Sequence, residues 1–198
     1  MPQQATHEYW HMQHFTSMNP NLHQHACTIW FTGRPSAGKT TLAVALYDAL
    51  TQRKFVCRTL DGDDLRNGLS KNLGFTENDR IENIRRVAEV SKLFVDTGII
   101  CINSFISPTR KVREMAKEII GPERFIEVYV NAPADICENR DVKGMYKKAR
   151  AGMISDFTGV SAPYDAPPDP DIELRTDLFS VEECMNTCLG FVLPRISF

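Results

Sequence analysis

The amino-acid sequence predicts an α/β fold in which a mainly parallel five-stranded sheet carries helices on both faces. Short runs of β-branched and aromatic residues alternate along the chain with segments whose apolar residues recur at helical spacing. The links between these runs are short. A chain that alternates strand and helix in this way pairs its strands in parallel, because each intervening helix crosses back over the sheet.

Five strands and four helices are predicted. The strands cover residues 27–32, 55–60, 99–105, 125–130 and 172–176. The helices cover residues 39–52, 79–97, 109–119 and about 180–192. Pro108 precedes the third helix, where a proline suits the first turn. The proline-rich stretch 161–170 is expected to be a surface connector and not a domain boundary, because too few residues follow it.

Length, composition and charge fit one ordinary globular domain. The chain has 198 residues, of which 42% are hydrophobic and 24% are charged, and its formal net charge is −2. That length is enough to bury a large apolar core. The charge argues against a protein whose main partner is nucleic acid or an anionic membrane. We expect a flexible N-terminal arm over residues 1–25 and a single domain over residues 26–198.

The cysteines indicate a cellular compartment, and the positions of the histidines exclude some classes of catalytic mechanism. The six cysteines form no CxxC pair, and neither a signal peptide nor a long apolar run is visible, so we expect a reduced, cytoplasmic protein. All five histidines lie within residues 7–25. The predicted domain therefore lacks imidazole, which removes histidine-based triads and most zinc hydrolase schemes. The arm's histidines could hold a transition metal, but no acid or cysteine at fixed spacing completes a site.

Residues 33–40, GRPSAGKT, carry the strongest chemical signal in the chain. They match GxxxxGK[ST] between a predicted strand and a predicted helix, which is the context of a phosphate-binding loop, and a chance glycine-rich turn is the disfavoured alternative. Backbone N–H groups would cradle the phosphates of ATP, Lys39 would bridge the outer phosphates, and the Thr40 hydroxyl would bind Mg²⁺. The motif makes the expected fold a P-loop NTPase-type three-layer sandwich. The predicted ATP-binding residues are Gly33, Arg34, Pro35, Ser36, Ala37, Gly38, Lys39, Thr40 and Thr41.

Two aspartates of interest follow the second predicted strand, in the stretch DGDD at residues 61–64. Open α/β sheets bind ligands at the carboxyl ends of their strands, where Asp61 or Asp63 could order the water shell of Mg²⁺ or take a proton from an attacking hydroxyl. Capping of the next helix by either residue is an alternative role, and the two roles can coexist. No apolar run that ends in aspartate follows the third strand. Asp61 or Asp63 must therefore substitute for that aspartate, and the candidate magnesium ligands are Thr40 and Asp61.

Basic residues gather in two stretches that flank these aspartates. Arginine forks suit a doubly anionic substrate, and a mobile basic segment suits the charge that develops on a transferring phosphoryl group. Solvated helix faces are an equally good account of Arg85, Arg86 and Lys148. Ligand binding is favoured for Arg66 and Arg80, which flank the expected acceptor site. The first stretch holds Arg66, Arg80, Arg85 and Arg86, and the second holds Lys143, Lys147, Lys148 and Arg150.

Seven blocks of the chain resemble, in the same order, those of the adenylylsulfate kinase family. They are CTIWFTG, LDGDDLRNGL, LGF, DRIENIRR, SFISP, DVKGMYKKARAG and FTGV. The resemblance implies phosphorylation of the 3′-hydroxyl of adenosine 5′-phosphosulfate (APS) by ATP, a step of sulfate assimilation, and it implies a homodimer. It covers nearly the whole chain and extends to Trp10 and His11 in the arm.

The resemblance also implies roles for individual residues. Residues 143–160 would close over both nucleotides as a lid, and Arg140 would lie near the ATP base. The phenylalanine rings would stack on the adenine of APS. The APS-binding residues would be Asp63, Arg66, Phe75, Arg80, Asn83, Ile106, Ser107, Lys143 and Phe157. The catalytic set would be Lys39, Asp61, Asp63, Lys143 and, at the family's phosphoserine position, Ser107. Ser107 has no histidine to activate it, so we expect it to bind or be modified off the main pathway.

The phosphate-binding loop departs from the family pattern at three positions. Arg34, Pro35 and Ser36 stand where the family has leucine, serine and glycine. Pro35 lacks an N–H group, and Ser36 replaces a residue that tolerates a positive φ. Phosphate is cradled mainly by the later N–H groups, from Ala37 to Thr41, so we expect ATP to bind.

Two other functions remain open from the sequence. The chain could be another small-molecule kinase, acting on a nucleoside monophosphate or a sugar acid, or a catalytically silent nucleotide-binding regulator. The blocks at residues 61–83 and 103–108 favour adenylylsulfate kinase over the first alternative. The second alternative is disfavoured because the chain keeps Lys39, Thr40, Asp61 and Asp63.

Overall fold

The computed structural model describes residues 22–198, and all strand pairings of its five-stranded sheet are parallel. The strands are β1 (Thr28–Thr32), β2 (Cys57–Asp61), β3 (Ile100–Ser104), β4 (Phe125–Asn131) and β5 (Ile172–Arg175). Their order across the sheet is β2, β3, β1, β4, β5. The predicted fold class is confirmed, and each strand lies where the sequence predicts it.

Helices connect the strands. Between residues 22 and 198 they are α1 (Lys39–Gln52), α2 (Gly62–Asn67), α3 (Glu77–Asp96), α4 (Arg110–Ile120), α5 (Ala134–Arg140), α6 (Met145–Arg150) and α7 (Val181–Ile196), with a 3-10 turn at Pro122–Arg124. The sequence does not predict α2, α5 and α6, because six or seven residues are too few to display an apolar period. Pro108 lies outside α4, whose N-cap is Thr109, and does not occupy its first turn as expected. In this part of the chain no helix combines the length and apolar character needed to cross a bilayer.

The alternation of side chains along β1 explains why both faces of the sheet are covered. Successive residues of a strand point to opposite faces, so Ile29 and Phe31 join one apolar cluster and Trp30 joins the other. All five residues of β1 are buried, so the loop that follows starts from a fixed position. The first cluster contains Leu42, Leu46, Cys188 and Val192 of α1 and α7, and the second contains Val87, Ala88, Val112 and Ala116 of α3 and α4.

The residues that lead into β1 are tied to the neighbouring strands through Gln24. The Gln24 side chain is 4% exposed, and its amide nitrogen donates to the carbonyls of Val56 and Gly98 at 2.8 Å each. Its oxygen accepts from the Val56 N–H at 2.7 Å. Gln24 thus satisfies backbone groups just before β2 and β3, although the expected arm includes it. The arm residues His7, Trp10, His11 and His14 lie outside the described residues.

Replacing Gln24 with leucine should lower the free energy of unfolding by about 2 kcal/mol or more. The change leaves the Gly98 carbonyl and the Val56 N–H without partners, whereas the Val56 carbonyl keeps the Ile100 N–H. Each lost partner costs about 1–3 kcal/mol. Chemical denaturation measures the effect. His23→Ala, at an exposed neighbouring position, should change stability by less than about 0.5 kcal/mol. Equal stability of the two variants would mean that water replaces the glutamine amide.

Candidate active site

The carboxyl ends of β1, β2 and β3 bring three loops with polar residues to one edge of the sheet. The phosphate loop (residues 33–40) follows β1, the DGDD stretch begins at the end of β2, and residues 105–108, here called the acceptor loop, follow β3. The chain leaves β1 toward β2 on one side and leaves β3 toward β4 on the other. This edge is therefore a topological switch point, where open α/β sheets bind their ligands.

The phosphate loop has a tight and partly strained backbone. A side chain at Gly33 would place its Cβ 2.5 Å from a carbonyl oxygen of β4, and Gly38 has a φ of +104°. Ser36 also has a positive φ, +61°, which is costly for a residue that is not glycine. The carbonyl of Pro35 accepts a hydrogen bond from the Tyr146 hydroxyl at 3.2 Å. The loop is thus supported by α6 and stores strain at Ser36.

Lys39 folds back onto the loop that precedes it. Its ammonium donates to the carbonyls of Gly33 at 3.0 Å and Arg34 at 2.8 Å. Burial lowers the pKa of Lys39 to about 8, because the charged form loses solvation. A bound phosphate would replace two neutral acceptors by an anionic one, which makes a stronger hydrogen bond with an ammonium.

Arg140, expected near the ATP base, lies beside the phosphate loop. Its guanidinium donates to the Thr176 carbonyl at 2.6 Å and to the Thr176 hydroxyl at 3.1 Å. The Thr176 hydroxyl in turn donates to the Ala37 carbonyl at 2.8 Å. This chain of hydrogen bonds attaches the end of α5 and the residue after β5 to the phosphate loop.

Three side-chain oxygens meet at the start of α1. The Thr40 hydroxyl donates to Asp61 Oδ2 at 2.9 Å and lies 3.3 Å from the Ser104 hydroxyl. The other Asp61 oxygen accepts from the Asp63 N–H at 3.0 Å and caps α2. Mg²⁺ prefers hydroxyl and carboxylate oxygens and takes its remaining ligands from phosphates and water. The residues present fit a magnesium ion, and Asp61 is a helix cap as well.

Asp63 and Lys143 form an ion pair that joins α2 to residues 143–160, here called the lid segment. Their side chains are 68% and 66% exposed, respectively. The Asp63 carboxylate raises the pKa of Lys143, so the lysine stays charged at neutral pH. An exposed pair of this kind contributes little to stability. Both groups are therefore available to a ligand at small energetic cost.

Two arginines lie close together between α2 and the start of α3. The Arg66 guanidinium lies 4.3 Å from the centre of the Phe75 ring, and Phe75 is 59% exposed. Partial burial and the nearby Arg80 charge both lower the pKa of Arg66. The Asn83 side-chain oxygen is buried and finds no hydrogen-bond partner among residues 22–198. Adjacent cations beside an exposed aromatic face favour an anionic ligand that carries a flat ring.

Arg80 also connects α3 to the lid segment. It donates to the Thr158 hydroxyl at 2.7 Å and to the Asp156 carbonyl. Phe157 is buried in the apolar cluster on the α1 and α7 face, with its ring edge against Tyr146 and the two centroids 5.0 Å apart. Phe157 is therefore a core residue, and its stacking on adenine stays a prediction.

The acceptor loop is buried and strained. Ser107 has a φ of +38° and is almost fully buried. Its hydroxyl accepts from the Trp30 indole N–H at 3.1 Å and donates to the Thr32 hydroxyl at 2.9 Å. The Thr32 hydroxyl donates to the Ile106 carbonyl at 2.8 Å. These bonds favour a framework role for the Ser107 hydroxyl over a role as nucleophile.

Other basic residues from the two stretches make structural pairs. Arg85 and Arg86 both pair with Glu82 of the same helix, at 2.7 and 2.8 Å. Arg86 also donates to a carbonyl of the turn before α3, at 2.9 Å. Arg150 pairs with Glu138 at 2.8 Å. The solvated-face interpretation therefore fits Arg85 and Arg86 better than ligand binding does.

Sequence analysis does not identify four residues that support this site, namely Thr32, Arg113, Tyr164 and Thr176. Arg113 leaves a detectable signal, because it falls on the buried stripe of α4 with Ala116 and Ile120. A buried arginine on an apolar stripe must find an acceptor. The others stand at a strand end, in a connector and in a turn, where a threonine or tyrosine is unremarkable.

Several known proteins similar to this chain are described as adenylyl-sulfate kinases. The family model described as Adenylylsulphate kinase matches residues 25–175. The chain is 55% identical to the adenylyl-sulfate kinase of Bacteroides fragilis over 176 residues, 89% of this chain and 87% of that one. It is 51% identical to the adenylyl-sulfate kinase of Saccharomyces cerevisiae over 172 residues, 86% of this chain and 85% of that one. The solved APS kinase of Mycobacterium tuberculosis in complex with AMPPNP and APS matches with a TM-score of 0.82 and 37% identity, over 85% of this chain and 98% of that chain.

Replacing Ser36 with glycine should raise the free energy of unfolding by up to about 1 kcal/mol. Glycine removes the cost of a left-handed serine, and its greater freedom in the unfolded chain offsets part of the gain. Ser36→Ala is the matched control, because it removes the hydroxyl and keeps the strain. Thermal unfolding compares the variants. A glycine variant no more stable than the alanine variant would mean that Ser36 stores no strain.

Nucleotide binding should take up a proton at Lys39. With a pKa of about 8 in the free protein, Lys39 is about half charged at pH 8, and bound phosphates favour its charged form. The heat of ATP binding should therefore depend on the ionisation enthalpy of the buffer and indicate uptake of up to about half a proton. Because this folded-state pKa lies below the unfolded value, the free protein should also gain stability as pH rises above about 8.

Two lysine variants control this measurement. Lys143→Arg should retain the proton uptake, because Lys143 is already charged at pH 8. Lys39→Arg should abolish it, because a guanidinium keeps its proton. A heat of binding that is the same in all buffers for the unmodified protein would contradict the assignment.

Proposed function

The chain belongs to the adenylylsulphate kinase family, and from that membership we propose that it transfers the γ-phosphoryl group of ATP to the 3′-hydroxyl of APS. The products are 3′-phosphoadenosine 5′-phosphosulfate and ADP, and the reaction serves sulfate assimilation. The observation that carries the proposal is the arrangement at one edge of the sheet. There the phosphate loop lies beside an acceptor site that presents Arg66, Arg80 and Phe75.

The phosphate loop holds the triphosphate of ATP in this proposal. N–H groups from Ala37 to Thr41 lie at the N-terminus of α1, where the helix dipole attracts phosphate. Lys39, which donates to two loop carbonyls, turns to the β- and γ-phosphates and neutralises charge that develops during transfer. Arg140 borders the loop from the side of Thr176, in reach of the nucleoside.

Mg²⁺ is part of the proposal because Thr40 and Asp61 offer suitable oxygens. Their contact at 2.9 Å brings a hydroxyl and a carboxylate together at the start of α1. When bound, the ion neutralises charge on the β- and γ-phosphate oxygens. Asp61 also caps α2, the helix that carries Arg66. Asp61 therefore connects the candidate magnesium site to the helix that carries part of the acceptor site.

APS lies against α2, α3 and the acceptor loop in this proposal. Its phosphosulfate is doubly anionic, which suits the adjacent guanidinium groups of Arg66 and Arg80. The exposed Phe75 ring offers a flat face to adenine. Asn83 has a buried oxygen that lacks a donor among the described residues, so it can accept a hydrogen bond from the nucleotide.

Phosphoryl transfer is direct, from ATP to the bound hydroxyl. The bond from the γ-phosphorus to the ADP oxygen breaks as the bond to the 3′-oxygen of APS forms, and the proton of that hydroxyl passes to the Asp63 carboxylate. Lys143, the ion-pair partner of Asp63, meets the negative charge on the transferring group. Ser107 supports the site through its bonds to Trp30 and Thr32.

The lid segment closes over both nucleotides in this proposal. Its contacts with the rest of the site include the Lys143 pair with Asp63 and the Thr158 bond to Arg80. Asp63 and Arg80 are also the residues assigned to APS. Substrate binding therefore exchanges lid contacts for ligand contacts, and the lid segment rearranges as the ternary complex forms.

Three further expectations remain predictions. Residues 26–198 act as a single domain behind a flexible arm, the chain forms a homodimer, and the protein works in the cytoplasm. All six cysteines are free and mostly buried, which agrees with a reducing compartment. Light scattering of the purified protein tests the homodimer.

The purified protein should use APS as its phosphoryl acceptor. With MgATP, kcat/KM for APS should exceed that for AMP or gluconate by at least about 100-fold. AMP lacks the sulfate, and gluconate lacks the phosphosulfate and the adenine base. A coupled assay of ADP release gives the rates, and folded but inactive Lys39→Ala controls for contaminating kinases. Faster turnover of AMP or gluconate, or no turnover of any acceptor, would overturn the proposed function.

Replacing Asp63 with asparagine should lower kcat by about 100-fold or more, because the acceptor proton loses its base. The KM for ATP should change by less than about threefold. Asp64→Asn is the matched control, since it neutralises the adjacent exposed carboxylate, and its kcat should stay within about twofold. A loss confined to the KM for ATP would reassign Asp63 to a structural role.

A further inference from the structure

The proline-rich connector before β5 inserts an aromatic side chain at the base of the site. The Tyr164 ring lies nearly parallel to the Tyr129 ring of β4, with centroids 6.2 Å apart and planes 20° apart. Its hydroxyl lies 3.1 Å from the hydroxyl of Thr32, the last residue of β1. The phosphate loop begins at the next residue. Tyr164 is therefore part of the site's framework, although the sequence predicts a plain surface connector.

The other hydrogen bonds of the Thr32 hydroxyl fix the direction of its bond with Tyr164. A hydroxyl donates one hydrogen bond and accepts up to two. The Thr32 hydroxyl donates to the Ile106 carbonyl at 2.8 Å and accepts from the Ser107 hydroxyl at 2.9 Å. Its second lone pair is left for Tyr164, which must be the donor. Burial raises the pKa of Tyr164, so the phenol keeps its proton at neutral pH.

Two arginines from different parts of the site border the same ring. Arg34 Cζ, in the phosphate loop, lies 5.3 Å from the Tyr164 ring centre, and Arg113 Cζ, in α4, lies 6.0 Å from it. Arg113 is 4% exposed, donates to the Ser107 carbonyl at 2.9 Å and pairs with Glu127 at 2.9 Å. The Tyr164 ring thus lies beside Arg34 of the phosphate loop and beside Arg113, which binds the acceptor loop at Ser107.

The acceptor loop needs such support because its backbone is strained. A serine with a φ of +38°, as at Ser107, persists only where its neighbours fix the backbone. The connector contributes to this at a second point, because the N–H of Asp165 donates to the Pro108 carbonyl at 2.8 Å. Tyr164 therefore attaches the connector to Thr32, just before the phosphate loop, and Asp165 attaches it to Pro108 in the acceptor loop.

We propose that Tyr164 is a positioning residue for phosphoryl transfer. Its hydroxyl on Thr32 and its ring beside the two arginines hold the phosphate loop and the acceptor loop at the separation that in-line attack requires. The inference rests on the proposed function, because the acceptor loop is taken to contact APS. Transfer between two bound ligands depends on their alignment, so a small displacement of one loop costs rate more than affinity. Arg34, which stands where the family has leucine, is the phosphate-loop part of this arrangement.

Tyr164→Phe tests the proposal with little disturbance, because it keeps the ring and removes the hydroxyl alone. We expect kcat for APS phosphorylation to fall about five- to tenfold, while the KM for ATP changes by less than about twofold. Tyr47→Phe is the matched control. It removes a tyrosine hydroxyl from the second half of α1, away from both loops, and its kcat should stay within about twofold. An unchanged kcat in Tyr164→Phe, or a loss confined to the KM for ATP, would overturn the inference.

Hydrogen exchange without nucleotide tests the same arrangement independently of the proposed function. Backbone amides in residues 30–38 and 104–109 should exchange faster in Tyr164→Phe than in the unmodified protein, and Tyr47→Phe should leave them unchanged. If the protein turns over no APS, the proposed function fails, and exchange alone decides the role of Tyr164. Equal exchange in the two variants would then overturn it.

Discussion

The site depends on the parallel pairing of β1 between β3 and β4. Backbone pairing sets Phe31 beside Ser104, and Ser104 beside Asp61 of β2. The same register sets Thr32 beside Tyr129 of β4. The strand register therefore places the start of all three loops at the same height along the sheet, independently of side-chain contacts. The phosphate loop, the DGDD stretch and the acceptor loop owe their closeness to this register.

The cations that we assign to phosphoryl transfer are held by internal acceptors in the free protein. Lys39 donates to two loop carbonyls, Lys143 pairs with an exposed carboxylate, and Arg80 donates to the lid segment. Each acceptor is neutral or open to solvent, so each interaction is weaker than a bond to a buried phosphate or sulfate. The free protein thus keeps its cations near the site and releases them to anionic ligands at small cost.

Sequence patterns predict the parts of this structure that local chemistry determines. The strands, the long helices and the phosphate loop follow from side-chain periodicity and from one motif. Ser36, which stands where the family has glycine, has a positive φ of the kind that glycine tolerates. The hydrogen bonds that join Thr32, Ser107 and Tyr164 could not be predicted, because they link three distant segments through ordinary hydroxyls. The short helices α2, α5 and α6 escape for a different reason, since tertiary contacts and caps stabilise them more than their own periodicity does.

The central claim is that both loops hold their ligands for one direct transfer, with Ser107 as framework. The most direct measurement uses ATP whose γ-phosphorus is chiral through three oxygen isotopes and follows its configuration into the phosphorylated product. A single in-line displacement inverts that configuration, and inversion is the result that this account predicts. Net retention would require two successive displacements through a phosphoenzyme, for which Ser107 would be the candidate, and would contradict the account.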